Sequence, residues 1–340
     1  MTKSLYELIL DNIVDGRLKD GFSLPQDENE AGMSFADGAM DGIAIYHMGR
    51  ADMDAAAYKR MIRAIKASSD GNADEADALF AELGKTYRAV SIIDDLQKYI
   101  LTHKKVLSAG NLYWSAIYIT RNSTDKESVK FGLSMLELLI FDESDKEVVR
   151  RLGLSDEFAL FAVWNMVKWD NGNADVFELA QKVSGWGRIH AVERLEPATP
   201  EISEWLLLNG IDNTVMAAYS ALTVWNSAGV GERLKGQLTE TEFHGISAII
   251  RALLDEGPVA GISEVEDREE HLLDYLALAE RFELDVDDCR TLLALGGWAA
   301  QEDVELPAVA AGCADLLSAE EYRDMIDEIM SEADGDGEDD

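Results

Sequence analysis

The sequence predicts an all-α protein, arranged as an irregular α-solenoid of stacked helical hairpins. Three observations predict it. Apolar residues recur at spacings of three and four along nearly the whole chain, which is the repeat of one helix face, while strand-like alternation is almost absent. Only 5 prolines interrupt the 340 residues, and each falls at an expected loop or helix start. The predicted helices are short and closely spaced, and bundles favour fewer and longer helices, so hairpins stacked in series fit better.

In chain order, residues 4–15 form an amphipathic helix with Leu5, Leu8, Ile9 and Ile13 on one face. A polar stretch with Gly and Pro over 16–33 is expected to be loop, pinned by Phe22 and Leu24. Ser34 to Met48 is the next helix, and another starts near Asp54 with Tyr58, Met61, Ile62 and Ile65 at helical spacing. Asp70-Gly71-Asn72 breaks the chain before helices over 74–83, 86–101 and 107–119. Further helices are expected near 125–141, 145–152, 155–169, 174–183, 187–195, 199–209, 212–226, 239–255, 264–282, 286–300, 306–316 and 318–332. Start signals support several of them: Thr124-Asp125, Ser155-Asp156-Glu157, and Pro200 at a first helical position after Thr199. Thr239 and Glu242 have capping-box spacing, and Gly210, Gly229 and Gly257 sit where helices should stop. Three regions are expected: a helical region 1–122, a more regular repeat region 123–332, and a disordered acidic tail 333–340.

One segment carries the signal of a stacked repeat. Arg188, Ala191 and Leu195 give an Arg-x-x-Ala-x-x-x-Leu pattern that resembles the inner helix of a HEAT repeat. A small residue there lets neighbouring helices approach, and the leucine fills the inter-repeat core. Looser versions lie at 156–169, with Phe158 and Ala162, and at 213–225, with Val215, Tyr219 and Leu222. The architecture is therefore HEAT/ARM-like.

The net charge is -36, from 66 acidic and 30 basic residues. Phosphate backbones and anionic membrane surfaces are bound by clustered Lys and Arg, so neither is an expected partner. Two readings of the charge stand: general solubility, or an acidic concave surface that attracts a basic partner. Cys289 and Cys313 lie in apolar helical patterns without CxxC or ligand spacing, and the acid-interrupted N-terminus does not read as a signal peptide. With no apolar run of membrane-spanning length, a cytoplasmic protein is expected.

Motifs for chemistry are few. The segment from Glu321 to Gly337 resembles an EF-hand entering helix, but only seven residues remain from Asp334, and Asp339 holds the place that needs Gly. Gly38 and Gly42, one helical turn apart, permit close helix packing and lack the strand and spacing of a dinucleotide fingerprint. No flavin-binding βα unit, Glu-x-x-His di-iron pair or suitable haem-thiolate loop is present, and His47, His103, His190, His244 and His271 are scattered. No cofactor, metal site or catalytic residue is assigned.

The densest polar and aromatic region runs from Trp186 to Tyr219, with Trp186, Arg188, His190, Glu193, Arg194, Glu196, Trp205, Asn213 and Tyr219. Arg188, Arg194 and their acidic neighbours read either as an inter-repeat ladder or as a binding groove with aromatic and Arg anchors. The binding reading assigns Trp186, Arg188, His190, Glu193, Arg194, Trp205, Asn213 and Tyr219 to the surface for a protein or peptide partner, whereas Trp164 and Trp169 read as core.

The runs Phe35–Met48, Trp186–Pro197 and Glu201–Gly210 resemble a family of bacterial proteins often labelled limonene hydroxylase, with a likeness over roughly residues 1–300. The resemblance implies a HEAT-like helical fold and, through the label, a monoterpene oxygenase; it brings no catalytic residues onto this sequence. Two functions are thus expected in competition. One is a non-catalytic repeat protein binding a protein or peptide on its concave face, and the other is a monoterpene monooxygenase.

Overall fold

Several helices begin where the sequence supplies side-chain caps. Ser4 and Glu7, Thr239 and Glu242, and Asp285 and Asp288 each close a capping box, in which each residue's side chain accepts from the other's backbone N–H. Asp54 accepts from the Ala56 and Ala57 amides, and Pro200 occupies the first turn after Thr199. The computed structural model describes residues 2–25, 35–140, 142–257 and 259–335, and among these it contains nineteen α-helices and one short hairpin.

The chain divides into two compact units, Met1–Leu195 and Glu196–Asp340. The first contains α1 (Leu5–Asp11), the strands β1 (Ile13–Val14) and β2 (Arg17–Leu18), α2 (Ala39–Ile43), a π-helix (Ala44–Met48), α3 (Ala55–Ser69), α4 (Ala73–Gly84), α5 (Ala89–Thr102), α6 (Ala109–Asn122), α7 (Lys126–Leu136), α8 (Glu143–Gly153), α9 (Asp156–Met166), α10 (Gly172–Ala180) and α11 (Trp186–Arg194). The second contains α12 (Pro200–Asn209), α13 (Ala218–Ser227), α14 (Val230–Leu234), α15 (Glu240–Leu253), α16 (Arg268–Ala279), α17 (Val286–Ala299), α18 (Pro307–Leu317) and α19 (Arg323–Gly335).

In the first unit, α7 and α9 pack together at the centre, α7 also meeting α4, α5 and α6, and α9 meeting α8, α10 and α11. Both helices are buried around nearly their whole circumference, as expected for helices enclosed on every side. In the second unit, α15 packs on α12, α13 and α17, and α17 on α18 and α19. Its core includes Phe243 stacked on Tyr275 at 5.4 Å and on Phe282 at 4.9 Å, with the Tyr275 hydroxyl hydrogen-bonded to Ser247 at 2.9 Å.

Several expectations are corrected. The first helix stops at Asp11, and the chain turns at Asp15-Gly16 into an antiparallel pair, Ile13 opposite Leu18. Both turn residues have positive φ, 50° and 79°, the conformation of a tight hairpin turn, and Asp-Gly is its sequence signal. The helix expected from Ser34 begins at Ala39, because Gly38 adopts φ 76° before it, and its second half is π-helical. Ser34 itself and positions 26–33 of the expected loop lie outside the described residues. The helix expected from 212 begins at Ala218, since the Asn213 side-chain oxygen accepts from the Val215 and Met216 amides and forms a turn first. The extra short helix α14 follows Gly229, and α19 runs to Gly335, into the expected tail, whose positions 336–340 lie outside the described residues. The sequence-based division at 122/123 falls between α6 and α7, which pack against each other inside one unit.

Candidate functional site

The most concentrated titratable chemistry lies at the heart of the first unit. Lys130, in the middle of α7, has no exposed surface, and its ammonium lies 2.5 Å from Glu157 Oε1, 2.6 Å from Asp41 Oδ2 and 3.0 Å from Glu127 Oε1. One turn earlier, Lys126 Nζ lies 3.2 Å from Asp37 Oδ1 and 3.9 Å from Glu157 Oε2. Arg88 reaches Asp41 and Glu127 at 3.5 and 3.4 Å.

The carboxylates also bind backbone. Glu157 accepts from the Gly38 amide at 3.0 Å, Glu127 from the Ala89 amide at 2.6 Å, and Asp37 from the Leu24 amide at 2.9 Å. Asp156, next to Glu157, accepts from the Gly187 amide at 2.9 Å. Gly185 and Gly187 let the chain close around this carboxylate: a Cβ at either would lie 2.1 or 2.6 Å from an Asp156 oxygen.

Burial and unequal pairing set the protonation of the cluster. Each carboxylate has to share its cation, while Lys130 faces three anions. Burial, with Glu127 and Glu157 adding to it, pushes the Asp41 carboxyl up to about 6 despite Lys130. Burial likewise pushes Asp156 up to about 6 against the pull of the Gly187 and Gly185 amides. Glu157 is held below the ordinary value: Lys130, Lys126 and the Gly38 amide together outweigh its burial. Lys130 stays charged, because its three carboxylates overcome the cost of burial.

Beside this cluster lies an aromatic and histidine group. The Trp186 and His190 rings stack at 6.0 Å, and Tyr46, on the π-helix, lies 6.2 Å from Trp186 and 6.5 Å from His190. His190 is buried, and neither ring nitrogen has a hydrogen-bond partner among the described residues. Burial, helped by Arg194, pushes its pKa down to about 4, so the imidazole is neutral at pH 7. The segments 35–48 and 186–195, both marked by the sequence, are thus in contact.

The residues of the expected binding patch fall in different environments. Trp186 and His190 are buried, and Arg188 is half-buried with its guanidinium donating to the Ala180 carbonyl at 2.8 Å. Glu193 and Arg194 are exposed at the end of α11. Trp205, Asn213 and Tyr219 belong to the other unit and are half-buried, with Asn213 committed to its turn. Of the expected core tryptophans, Trp169 stacks under the Lys146 and Arg150 cations, both 5.2 Å from its ring.

Sequence reasoning missed a group in the second unit. His244, Asp285 and Asp288 bring ligand-type atoms within 4.8 Å of one another. The His244 ring is hydrogen-bonded to Asp288 Oδ2 at 2.7 Å, while the same two aspartates form the capping box of α17, which accounts for their arrangement. The i,i+3 spacing of the aspartates was visible; the histidine on α15 was joined to them only by the packing of α15 on α17.

The unit boundary also divides the charge. Residues 1–195 hold 31 acidic and 23 basic residues, and residues 196–340 hold 35 and 7, so the second unit carries -28 of the total -36. No helix among the described residues is long and apolar enough to cross a membrane. No family profile, curated protein or solved structure matches the chain.

Proposed function

We propose that the chain is a non-catalytic helical-repeat protein, its hairpins stacked as an irregular solenoid, that binds a basic protein or peptide through its second unit. The observation that carries the reading is the charge partition: 35 acidic against 7 basic residues in one unit give a field that attracts cationic partners and repels nucleic acid. Pairing of sequence neighbours supports the repeat architecture, as α3 packs on α4, α6 on α7, α8 on α9 and α17 on α18. The buried carboxylates of the first unit support a structural role there, since they are engaged with lysines and backbone amides.

Calorimetric titration of the full chain with a lysine–leucine peptide tests this. Binding that weakens as salt rises is expected, because screening shortens the reach of surface charge. Absence of binding at low salt would sink the reading. The oxygenase implied by the resemblance to the limonene hydroxylase family is tested apart from this, by the optical spectrum of the natively purified protein and by limonene turnover with NADPH. A flavin or haem band accompanied by oxidised terpene would replace the binding reading.

A further inference from the structure

Two clefts open on the second unit at a single turn of chain. One, of about 480 Å³, is lined by Val265, Leu306 and the start of α16, including Asp267, Glu269 and Glu270. The other, of about 570 Å³, has Ala299, Ala300, Pro307 and Ala310 for its apolar lining, with Glu302 and Glu305 beside them. The consecutive residues Glu305, Leu306 and Pro307 serve one cleft or the other, so the two share this turn. Leu306 anchors it, 7% exposed, with its amide bonded to the Ala299 carbonyl at 3.2 Å.

The rims are acidic and open to solvent. Glu266, Asp267, Glu269 and Glu270 are exposed on one side, and Glu302, Asp303 and Glu305 on the other. Two cations reach this rim: Arg268 donates to the Ser263 carbonyl at 2.8 Å, and Lys235 pairs with Glu270 at 3.1 Å. Asp267 and Glu305 are two of the three non-glycine residues with positive φ among the described residues, at 51° and 52°.

Resting on the proposed binding function, we infer that this pair of clefts is the docking surface, and that its occupant is a basic polypeptide segment. Its lysines or arginines would meet the acidic rims, and an interspersed apolar side chain would seat on the alanine and proline lining. Charge complementarity selects this occupant. A second copy of the chain would bring the same acidic rim against itself, and juxtaposed like charges oppose association.

The test uses the full chain and fluorescently labelled lysine–leucine and lysine–serine peptides. Wild type is expected to bind the first in a salt-dependent manner and the second more weakly, since serine cannot replace the apolar anchor. The double variant E302Q/E305Q should lose about tenfold in affinity by removing rim charge without changing side-chain size. Glu305→Gly removes one charge and also relieves the positive φ, so it should weaken binding while leaving thermal stability unchanged or raised; weaker binding then cannot come from misfolding. Salt-sensitive binding to wild type with undiminished affinity in both variants would overturn the docking surface and leave the proposed function standing. Equal affinity for the two peptides would overturn the apolar seat. Failure of wild type to bind either peptide would overturn the function on which the inference rests.

Discussion

The indole of Trp186 occupies the space over Gly42: a β-carbon at Gly42 would lie 2.2 Å from the indole Cε3. A neighbouring turn, at Gly38, is equally tight, with a virtual β-carbon 2.5 Å from the Asp156 carbonyl oxygen and a φ of 76°. The Asp37–Met48 segment therefore lies against α9 and α11 at van der Waals contact, with no room for a side chain at either glycine.

Gly42→Ala is expected to destabilise the first unit by about 2 kcal/mol, the typical cost of inserting a methyl group into a packed interior. Urea unfolding measures it. Because the clash involves the Trp186 ring, combining Gly42→Ala with Trp186→Ala should cost less than the two single changes added together. Full additivity would show that the ring does not limit the approach.

Lys130→Met should cost about 3–5 kcal/mol at pH 7, since it leaves Asp41, Glu127 and Glu157 without the cation they share. Protonating Asp41, whose carboxyl lies at about 6, relieves part of the repulsion, so the deficit should shrink when the same unfolding curves are measured at pH 5. A deficit independent of pH would show that packing, not charge, is what Lys130 supplies.

His190 makes stability fall with acid. Its folded pKa of about 4 lies below the usual 6.5, so the unfolded chain binds the proton more readily, and stability is lost as pH drops from about 6.5 towards 4. The full shift corresponds to about 3 kcal/mol. Asp41 and Asp156 act in the opposite sense: their folded values of about 6 exceed the unfolded 3.8, so their contribution is present below 3.8 and lost as pH rises through 6. His190→Phe should remove the loss on acidification and expose the opposing trend from the aspartates, read from melting temperatures across pH 4–7. An unchanged pH profile in His190→Phe would contradict the assignment.

Arg188 and Arg194, equivalent on the sequence, should separate on mutation. Arg188→Ala removes the bond to the Ala180 carbonyl and should cost about 1 kcal/mol or more in thermal unfolding. Arg194→Ala, at an exposed position, should stay within about 0.5 kcal/mol of wild type. Equal losses would restore the view that both residues serve one ladder.

Much of the fold was legible because helices are specified locally. The 3.6-residue repeat and caps such as Thr239 with Glu242 act within a turn or two of chain, and the predicted helices over 74–83, 199–209, 239–255, 286–300 and 306–316 lie within a few residues of those observed. The buried cluster was harder to read. Asp156 and Glu157 looked like the acidic first turn of a helix, which they are, yet their side chains bind the amides of Gly187 and Gly38, 31 and 119 residues away. Lys126 and Lys130 carry a legible signal: lysines at i,i+4 in a helix that also holds Val129, Phe131, Leu133 and Leu136. Such lysines have to find carboxylates in the interior, because leaving a charge unpaired there is too costly.

The sequence by itself determined that the chain is helical, where most of its helices lie and how much negative charge it carries, since these are set by residue identity and by hydrogen bonds a few residues long. Tertiary structure decided the rest. It gathered Asp37, Asp41, Glu127 and Glu157 around two lysines, closed the Gly187 amide onto Asp156, brought Tyr46 to Trp186 and His190, and set the unit boundary at Leu195 that leaves -28 of the charge on one side. The physical reason is that desolvation and shape complementarity act between segments distant in the chain, and become defined only when the helices that carry those residues have packed.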